Sequence, residues 1–316
     1  MAVAAQRPVP DMAEFDSIHM VTFGLRFINR TPDVVQWCRR YGLLAQNMEC
    51  PACNIPCTEG VYRRAVDGVA WRCPTCRKTI NIRKGSFFEK SHLKLWQILA
   101  LTYQWATNAG RSRGLGVDRQ MAELEIGSRS TIVDWNQFCR DVTVQYFLNH
   151  PERLGGPGSI VEIDESLFAR RKHNRGHVVR EKWIMGGYDV ERKIGFLIPV
   201  ARRDAATLLP IIVEWVQPGS IVWSDMWAAY NQLGNNGFHH GTVNHELHFV
   251  DPATGVTTNR VEAMWQRAKA KFKAMFGPTN RDMIPDYLAE FMWMQRVRDH
   301  PFYHFWNQVA TDLYVV

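Results

Sequence analysis

Three carboxylates in the second half of the chain have the type and the setting of metal ligands. Asp164 lies in the apolar segment SIVEIDESLF, Asp225 ends the apolar segment GSIVWSD, and Glu262 lies in the basic segment TNRVEAMWQRAK. A carboxylate on a buried strand is costly unless its charge is compensated, and a metal ion is the usual compensation. Oxygen ligands without thiolates favour Mg²⁺ or Mn²⁺, and two such ions activate the nucleophile and the leaving group in phosphoryl transfer.

Each of these acids also has a structural interpretation. Glu162 and Glu165 compete with Asp164, and strand alternation puts Glu162 and Asp164 on one face and Glu165 on the other. Asp164 is the preferred ligand because it is nearer the end of the strand, where active sites lie. Asp225 is alternatively the N-cap of a short helix, and Glu262 is alternatively a surface residue paired with a neighbour on its own helix.

Four cysteines form a second candidate metal site. Cys50 and Cys53 make one C-x-x-C pair, Cys73 and Cys76 make another, and 19 residues separate the pairs. This spacing is typical of a structural zinc ion held by four thiolates. Four unligated core cysteines are the alternative, and Cys57 lies nearby but off the pattern. Basic residues throughout this ribbon suit phosphate contacts.

Composition narrows the class of protein. The chain has 316 residues, a hydrophobic fraction of 46% and a formal net charge of +7, which favour a globular protein with a polyanionic partner, nucleic acid first. No apolar run approaches the length of a membrane span, and the N-terminus lacks the pattern of a signal peptide. We therefore expect a protein that acts inside a cell and has no membrane partner.

Apolar periodicity and turn residues divide the chain into five regions. We predict a flexible N-terminus with one short helix at 1–47, a zinc ribbon at 48–88, a helical DNA-binding region at 89–150, a catalytic domain at 158–300 and a C-terminal tail at 301–316. The Gly- and Pro-rich segment PERLGGPGS marks the clearest boundary.

The helical region has the pattern of a helix-turn-helix. A helix, the turn IGSRST and a longer helix follow one another, with Arg129 near the turn as a candidate DNA contact. Two helices of an ordinary bundle fit the same pattern.

The elements beyond the boundary predict an α/β fold. Three strands, a helix, a fourth strand and a late basic helix follow in the order of an RNase H-like domain. In that fold the first and fourth strands are neighbours and the late helix packs against their ends. Asp164, Asp225 and Glu262 would then converge.

At these residues the sequence resembles the Merlin superfamily of eukaryotic DNA transposases, which is akin to bacterial insertion-sequence (ISXO2-like) transposases. The segments IVEIDES, RKHNRGHVVREKWIMGG, LLPIIVEWVQPGSIVWSDMWAAY, TVNHELHFVDPATG and TNRVEAMWQRAK carry the resemblance. It covers roughly residues 48–295. The 36 residues between Asp225 and Glu262 match the spacing of that group's second and third catalytic acids.

The resemblance implies a DDE transposase with Asp164, Asp225 and Glu262 as catalytic acids that hold two Mg²⁺ or Mn²⁺ ions. It implies cleavage and strand transfer at the terminal inverted repeats of a mobile element, a homo-oligomer on double-stranded DNA, and a nuclear location. The zinc ribbon also matches the family's N-terminal part.

Further residues are expected beside the acids. Asn259 would help to position metal or DNA, whereas the His that usually precedes this Asn in the family is replaced by Thr257 and Thr258. Candidate DNA contacts lie in ARRKHNRGH and RAKAKFK: Arg170, Arg171, Lys172, Lys269 and Lys271.

Two other functions remain open from the sequence. One is a domesticated, non-catalytic zinc-ribbon DNA-binding protein that keeps the fold. The other is an RNase H-like nuclease without strand transfer.

Overall fold

The computed structural model describes residues 11–108, 116–169, 182–245, 247–275 and 283–314. In chain order its elements are α1 (Met12–Asp16), α2 (Met20–Phe27), α3 (Thr31–Arg40), β1 (Thr58–Val61), β2 (Val69–Arg72), β3 (Thr79–Asn81), α4 (Leu95–Asn108), α5 (Val117–Leu124), α6 (Arg129–Asn149), β4 (Ile160–Ala169), β5 (Lys182–Asp189), β6 (Ile194–Val200), α7 (Ala205–Trp215), β7 (Ile221–Asp225), β8 (His239–Val243), α8 (Asn259–Met275), α9 (Ile284–Arg296) and α10 (Pro301–Gln308). Among the described helices, none has the length and apolar composition that crossing a bilayer requires.

These elements form two compact units. The described residues of the first are 11–108, 116–142 and 297–314, and those of the second lie between 143 and 296. The division falls within α6 and not at the Gly- and Pro-rich segment 151–159, where the sequence predicts it. A continuous helix carries no turn signal, so its sequence has no mark of this division.

The first unit combines helices with the small antiparallel sheet β1-β2-β3. Its aromatic core includes Phe15, Trp37 and Trp306. Residues 301–316 are predicted as a tail, but α10 lies there and packs on α1 and α4. The reason is the apolar composition of PFYHFW, which buries Phe302, Phe305 and Trp306.

The predicted flexible start also contains more structure than one helix. From residue 11 onward the described chain forms α1, α2 and α3. The Asp11 side chain accepts a hydrogen bond from the Ala13 amide at 3.0 Å and so caps α1. Phe23 and Phe27 of α2 are buried, which anchors this segment.

A mixed sheet forms the centre of the second unit. Its strand order is β6-β5-β4-β7-β8. The pairs β6-β5 and β5-β4 are antiparallel, whereas β4-β7 and β7-β8 are parallel. The first and fourth strands of this unit are therefore neighbours, as the sequence predicts, and the apolar core includes Val161, Ile163 and Val222.

Two glycines let α8 lie close to this sheet. A Cβ on Gly186 would lie 2.5 Å from Cζ2 of Trp265, and one on Gly195 would lie 2.4 Å from Sδ of Met264. Both α8 side chains are buried. Trp265 is therefore a packing residue, and glycine is required on the strands because a larger residue would occupy the same space.

We expect Gly186→Ala to destabilise the second unit by about 1–3 kcal/mol, because Trp265 would have to move. Gly234→Ala is the matched control, since no atom lies within 4 Å of the added Cβ. Chemical denaturation of the two variants measures the difference. Equal stability of both variants would contradict close packing between α8 and the sheet.

Candidate active site

Asp164 and Asp225 lie at the same level of two neighbouring parallel strands. Glu162 of β4 is the register partner of Trp223 of β7. Asp164 and Asp225 each follow two residues later along these strands, and register partners in a parallel pair project to the same face. Both carboxylates are partly exposed. The sheet thus presents two acids side by side at the end of the parallel pair.

The third acid, Glu262, lies in the first turn of α8. Its side chain is 43% exposed. The position of the helix is fixed by Glu162, whose Oε2 accepts hydrogen bonds from the amides of Arg260 at 2.8 Å and Val261 at 3.0 Å. Since the first amides of a helix lack intrahelical partners, a carboxylate there stabilises the helix N-terminus. A second acid of β4 therefore holds the helix that carries Glu262.

The charges of the three acids act on one another. Burial is the largest cause that raises the pKa of Asp164 to about 7, and the neighbouring charges of Glu165, Asp225 and Glu262 contribute to the same shift. Such a group of like charges disfavours ionisation, and a bound cation relieves it. Among the described residues, however, the three acids are not gathered as tightly as the four cysteines, which alone form a close group of three or more potential ligands.

Two side chains of the protein donate hydrogen bonds to Glu165. It is buried and accepts hydrogen bonds from the hydroxyl of Tyr230 and, at 3.3 Å, from Nη2 of Arg203. Burial raises the pKa of Glu165, while these two donors lower it in part. Glu162 and Glu165 are thus compensated by donors within the protein, whereas Asp164 faces the charges of Glu165, Asp225 and Glu262.

His245 lies beside the third acid, although its irregular spacing from the other histidines predicts only a loop residue. Its Nε2 lies 2.6 Å from Oγ1 of Thr258 and 3.8 Å from Oε1 of Glu262. The sequence predicts that Thr257 and Thr258 replace a histidine near Asn259. In the structure the imidazole of His245, from an irregular segment earlier in the chain, contacts Thr258 beside Asn259. No spacing in the sequence predicts this contact.

The remaining predicted contacts have different surroundings. Asn259 is exposed and begins α8. Lys269 is exposed on the same helix, with Nζ 5.7 Å from the ring centroid of Phe168. Arg129 begins α6, has a 62% exposed side chain and pairs with Asp118.

Lys271 differs from the prediction that it contacts DNA. Its side chain is buried and Nζ donates to Oε1 of Glu290 on α9 at 2.7 Å. A buried ion pair fastens α8 to α9 and leaves the ammonium group away from solvent. Arg170, Arg171 and Lys172 lie outside the described residues.

The predicted cysteine site is gathered in the first unit. One sulfur from each of Cys50, Cys53, Cys73 and Cys76 lies within 4.8 Å of the others, so the cluster could hold a structural zinc ion. The amide of Ala52 is the main cause that lowers the pKa of Cys50 to about 6, whereas hydrogen bonding with Cys76 and burial raise the pKa of Cys53 to about 12. Thiolates this close together disfavour one another unless a cation binds them. Cys57 is outside this group.

The raised pKa of Asp164 predicts the pH dependence of stability when no divalent ion is added. Folding favours the protonated carboxyl of Asp164, so this group stabilises the folded state at low pH. The stabilisation is lost as the pH rises from about 4 through about 7. Asp164→Asn stays neutral, and we expect it to raise the free energy of unfolding by a few kcal/mol, on the order of 2, at about pH 8. Denaturation at about pH 5 and about pH 8 measures this. A variant no more stable than the wild type at the higher pH would contradict it.

Two comparisons relate this chain to known proteins. The sequence profile of the ISXO2-like transposase domain matches residues 154–295, a range that contains all three acids. The chain is also similar to a Haemophilus influenzae protein described as an uncharacterized transposase-like protein. The two are 33% identical over 98 residues, which are 31% of this chain and 77% of that protein.

Proposed function

The chain belongs to the family of ISXO2-like transposases, and we propose that it is a DDE transposase that cuts and joins DNA at the terminal inverted repeats of a mobile element. One arrangement carries the proposal: Asp164 and Asp225 lie level on neighbouring parallel strands, and Glu162 of the same strand bonds to the N-terminus of the helix that carries Glu262. The order and direction of the five strands support an RNase H-like fold for this unit.

Asp164, Asp225 and Glu262 would hold two Mg²⁺ or Mn²⁺ ions. Their donor set fits, because it consists of carboxylate oxygens whose mutual repulsion a cation relieves. When bound, the ions would supply charge stabilisation to the attacking and leaving oxygens of an in-line displacement at phosphorus. Glu162 keeps Glu262 in place through the N-terminus of α8, and the sheet register keeps the two aspartates level.

The reaction has two steps of the same type. In cleavage, a water oxygen bonds to phosphorus and the bond from phosphorus to the 3′ oxygen breaks, which leaves a 3′-hydroxyl and a 5′-phosphate. In strand transfer, that 3′ oxygen bonds to a phosphorus of the target DNA and displaces another 3′ oxygen. No bond to the protein forms in either step.

DNA recognition would use both units. The zinc ribbon and the pair α5 and α6 are proposed to recognise the inverted repeats, with Arg129 at the start of α6. Arg170, Arg171, Lys172 and Lys269 are proposed phosphate contacts, and Asn259 is a proposed positioning residue. We further place the chain with the eukaryotic Merlin superfamily, acting in the nucleus as a dimer or larger homo-oligomer on DNA.

A nicking assay tests the proposed function. The purified full chain is incubated with supercoiled plasmid carrying the flanking repeats, with Mg²⁺ or Mn²⁺ and with neither ion. Ion-dependent nicking supports a transposase or nuclease, and joining of pre-cut ends to a second plasmid separates strand transfer from hydrolysis. Binding without any nicking would instead favour the non-catalytic DNA-binding protein.

A further inference from the structure

An exposed indole lies directly beside the acidic site. Trp227 is two residues beyond Asp225 and is 44% exposed. Most tryptophans of the described chain pack inside, as Trp265 and Trp293 do with exposures of 3% and 1%. Met226, between Asp225 and Trp227 in the chain, is 65% exposed, so two large apolar side chains lie at the surface next to the acids, and an exposed apolar patch marks a contact surface.

The Trp227 indole is held in place and is not a loose surface side chain. Its backbone amide donates to Oδ1 of Asp225 at 3.0 Å, and its Nε1 donates to the carbonyl oxygen of Arg203 at 3.3 Å. The first bond fixes the residue to the acid, and the second fixes the orientation of the ring. Its exposed surface is therefore prepared in advance for contact.

A guanidinium group supports the ring. Cζ of Arg203 lies 5.0 Å from the ring centroid of Trp227 and 4.2 Å from that of Trp183. Arg203 in turn donates to the buried Glu165 at 3.3 Å. Two indoles with a cation at their faces make a stack that accepts a further flat ring, since cation–π and stacking contacts add along such a column.

We propose that Trp227 and Arg203 form a stacking site for an unpaired nucleobase of the DNA strand that enters the acidic site. This rests on the proposed function, which brings a phosphodiester to Asp225. A nucleobase matches the surface because every base has a flat π face, whereas an aliphatic side chain gains nothing from the guanidinium.

Binding to forked DNA tests this site. The labelled probes are a duplex with unpaired thymidine arms and the same duplex with abasic arms, measured by fluorescence anisotropy in Ca²⁺. Wild type, Trp227→Leu and Trp227→Phe are compared, because leucine keeps the apolar bulk and phenylalanine keeps the flat ring. Val213→Ala is the control, since Val213 is an exposed apolar residue on α7 in the same unit.

The wild type should bind the thymidine fork about 5- to 150-fold more tightly than the abasic fork, as stacking of one base implies. Trp227→Leu should lose most of this preference, while Trp227→Phe and Val213→Ala keep it. Two outcomes overturn the proposal: Trp227→Leu keeps the preference, or the wild type has none. Lower affinity for both forks alike would indicate a purely structural role and would also overturn it.

The readout separates this site from the proposed function. Loss of the preference in Trp227→Leu together with absence of ion-dependent nicking by the wild type would remove the transposase and leave the base site. Ion-dependent nicking by the wild type together with an unchanged preference in Trp227→Leu would support the transposase and remove the base-stacking site.

Discussion

Asp225→Asn is expected to reduce ion-dependent DNA nicking by about 1,000-fold or more, because a metal ligand worth several kcal/mol of transition-state stabilisation is lost. The amide is close in size to the carboxylate, and its oxygen still accepts the hydrogen bond from Trp227. The fold and DNA affinity should therefore stay near those of the wild type. Nicking rates and anisotropy with the same plasmid-derived duplex measure the two effects separately.

Controls for this prediction lie in the same unit. Asp164→Asn and Glu262→Gln should match Asp225→Asn, since the three acids are proposed to act as one set. Glu214→Gln changes an exposed carboxylate on α7, away from the site, and should nick at the wild-type rate. An Asp225→Asn protein that cuts as fast as Glu214→Gln would refute the assignment of Asp225.

Removal of a zinc ion from the cysteine cluster is expected to unfold the predicted zinc ribbon, which is the second large effect. Structural zinc sites contribute roughly 10–16 kcal/mol in zinc-finger peptides, and small metal-binding modules unfold without the ion. The sheet β1-β2-β3 has short strands, and β1 is exposed along its whole length, so it has little core of its own. Chelation or Cys73→Ser should therefore unfold the ribbon.

Zinc content and hydrogen exchange of the ribbon measure this effect. Cys57→Ser is the matched control, because this cysteine lies outside the close group of four. It should keep one zinc ion per chain and slow exchange in β2, whereas Cys73→Ser should lose both. Protein that is purified without zinc and is unchanged by a chelator would contradict a structural metal site.

Local patterns in the sequence carry much of the fold. The segments EKWIMGGYDV and KIGFLIPVAR predict strands because they are rich in apolar residues, and β5 and β6 lie within them and are buried along most of their length. Asp204 predicts the start of α7 well, since its side chain accepts from the amide of Thr207 at 2.9 Å. The two C-x-x-C pairs likewise predict a close group of four sulfurs.

The sequence does not predict contacts between residues that lie far apart along the chain. Glu162 bonds to amides at positions 260 and 261, and Lys271 pairs with Glu290 across two helices. Periodicity gives the face of an element but not what packs on that face, so Lys271 looks like one more basic residue of a solvent-facing helix. His245 approaches Glu262 from an irregular segment, where no period applies.

The segment that contains Asp164 gives its three acids three different surroundings. Glu162 caps α8, Glu165 is bonded to Tyr230 and Arg203, and Asp164 faces the charges of the other two candidate ligands. Strand alternation correctly indicates that these acids are not equivalent. Only the contacts across the sheet explain why burial of Glu162 and Glu165 is tolerated.

The most direct measurement of the central claim is the anomalous difference density of Mn²⁺ in crystals of the full chain. We expect two Mn²⁺ peaks beside the carboxylates of Asp164, Asp225 and Glu262, and no peaks there in Asp225→Asn crystals grown and soaked in the same way. Wild-type crystals with no Mn²⁺ at these three side chains, or with Mn²⁺ bound equally in the Asp225→Asn protein, would contradict a catalytic site made of these acids.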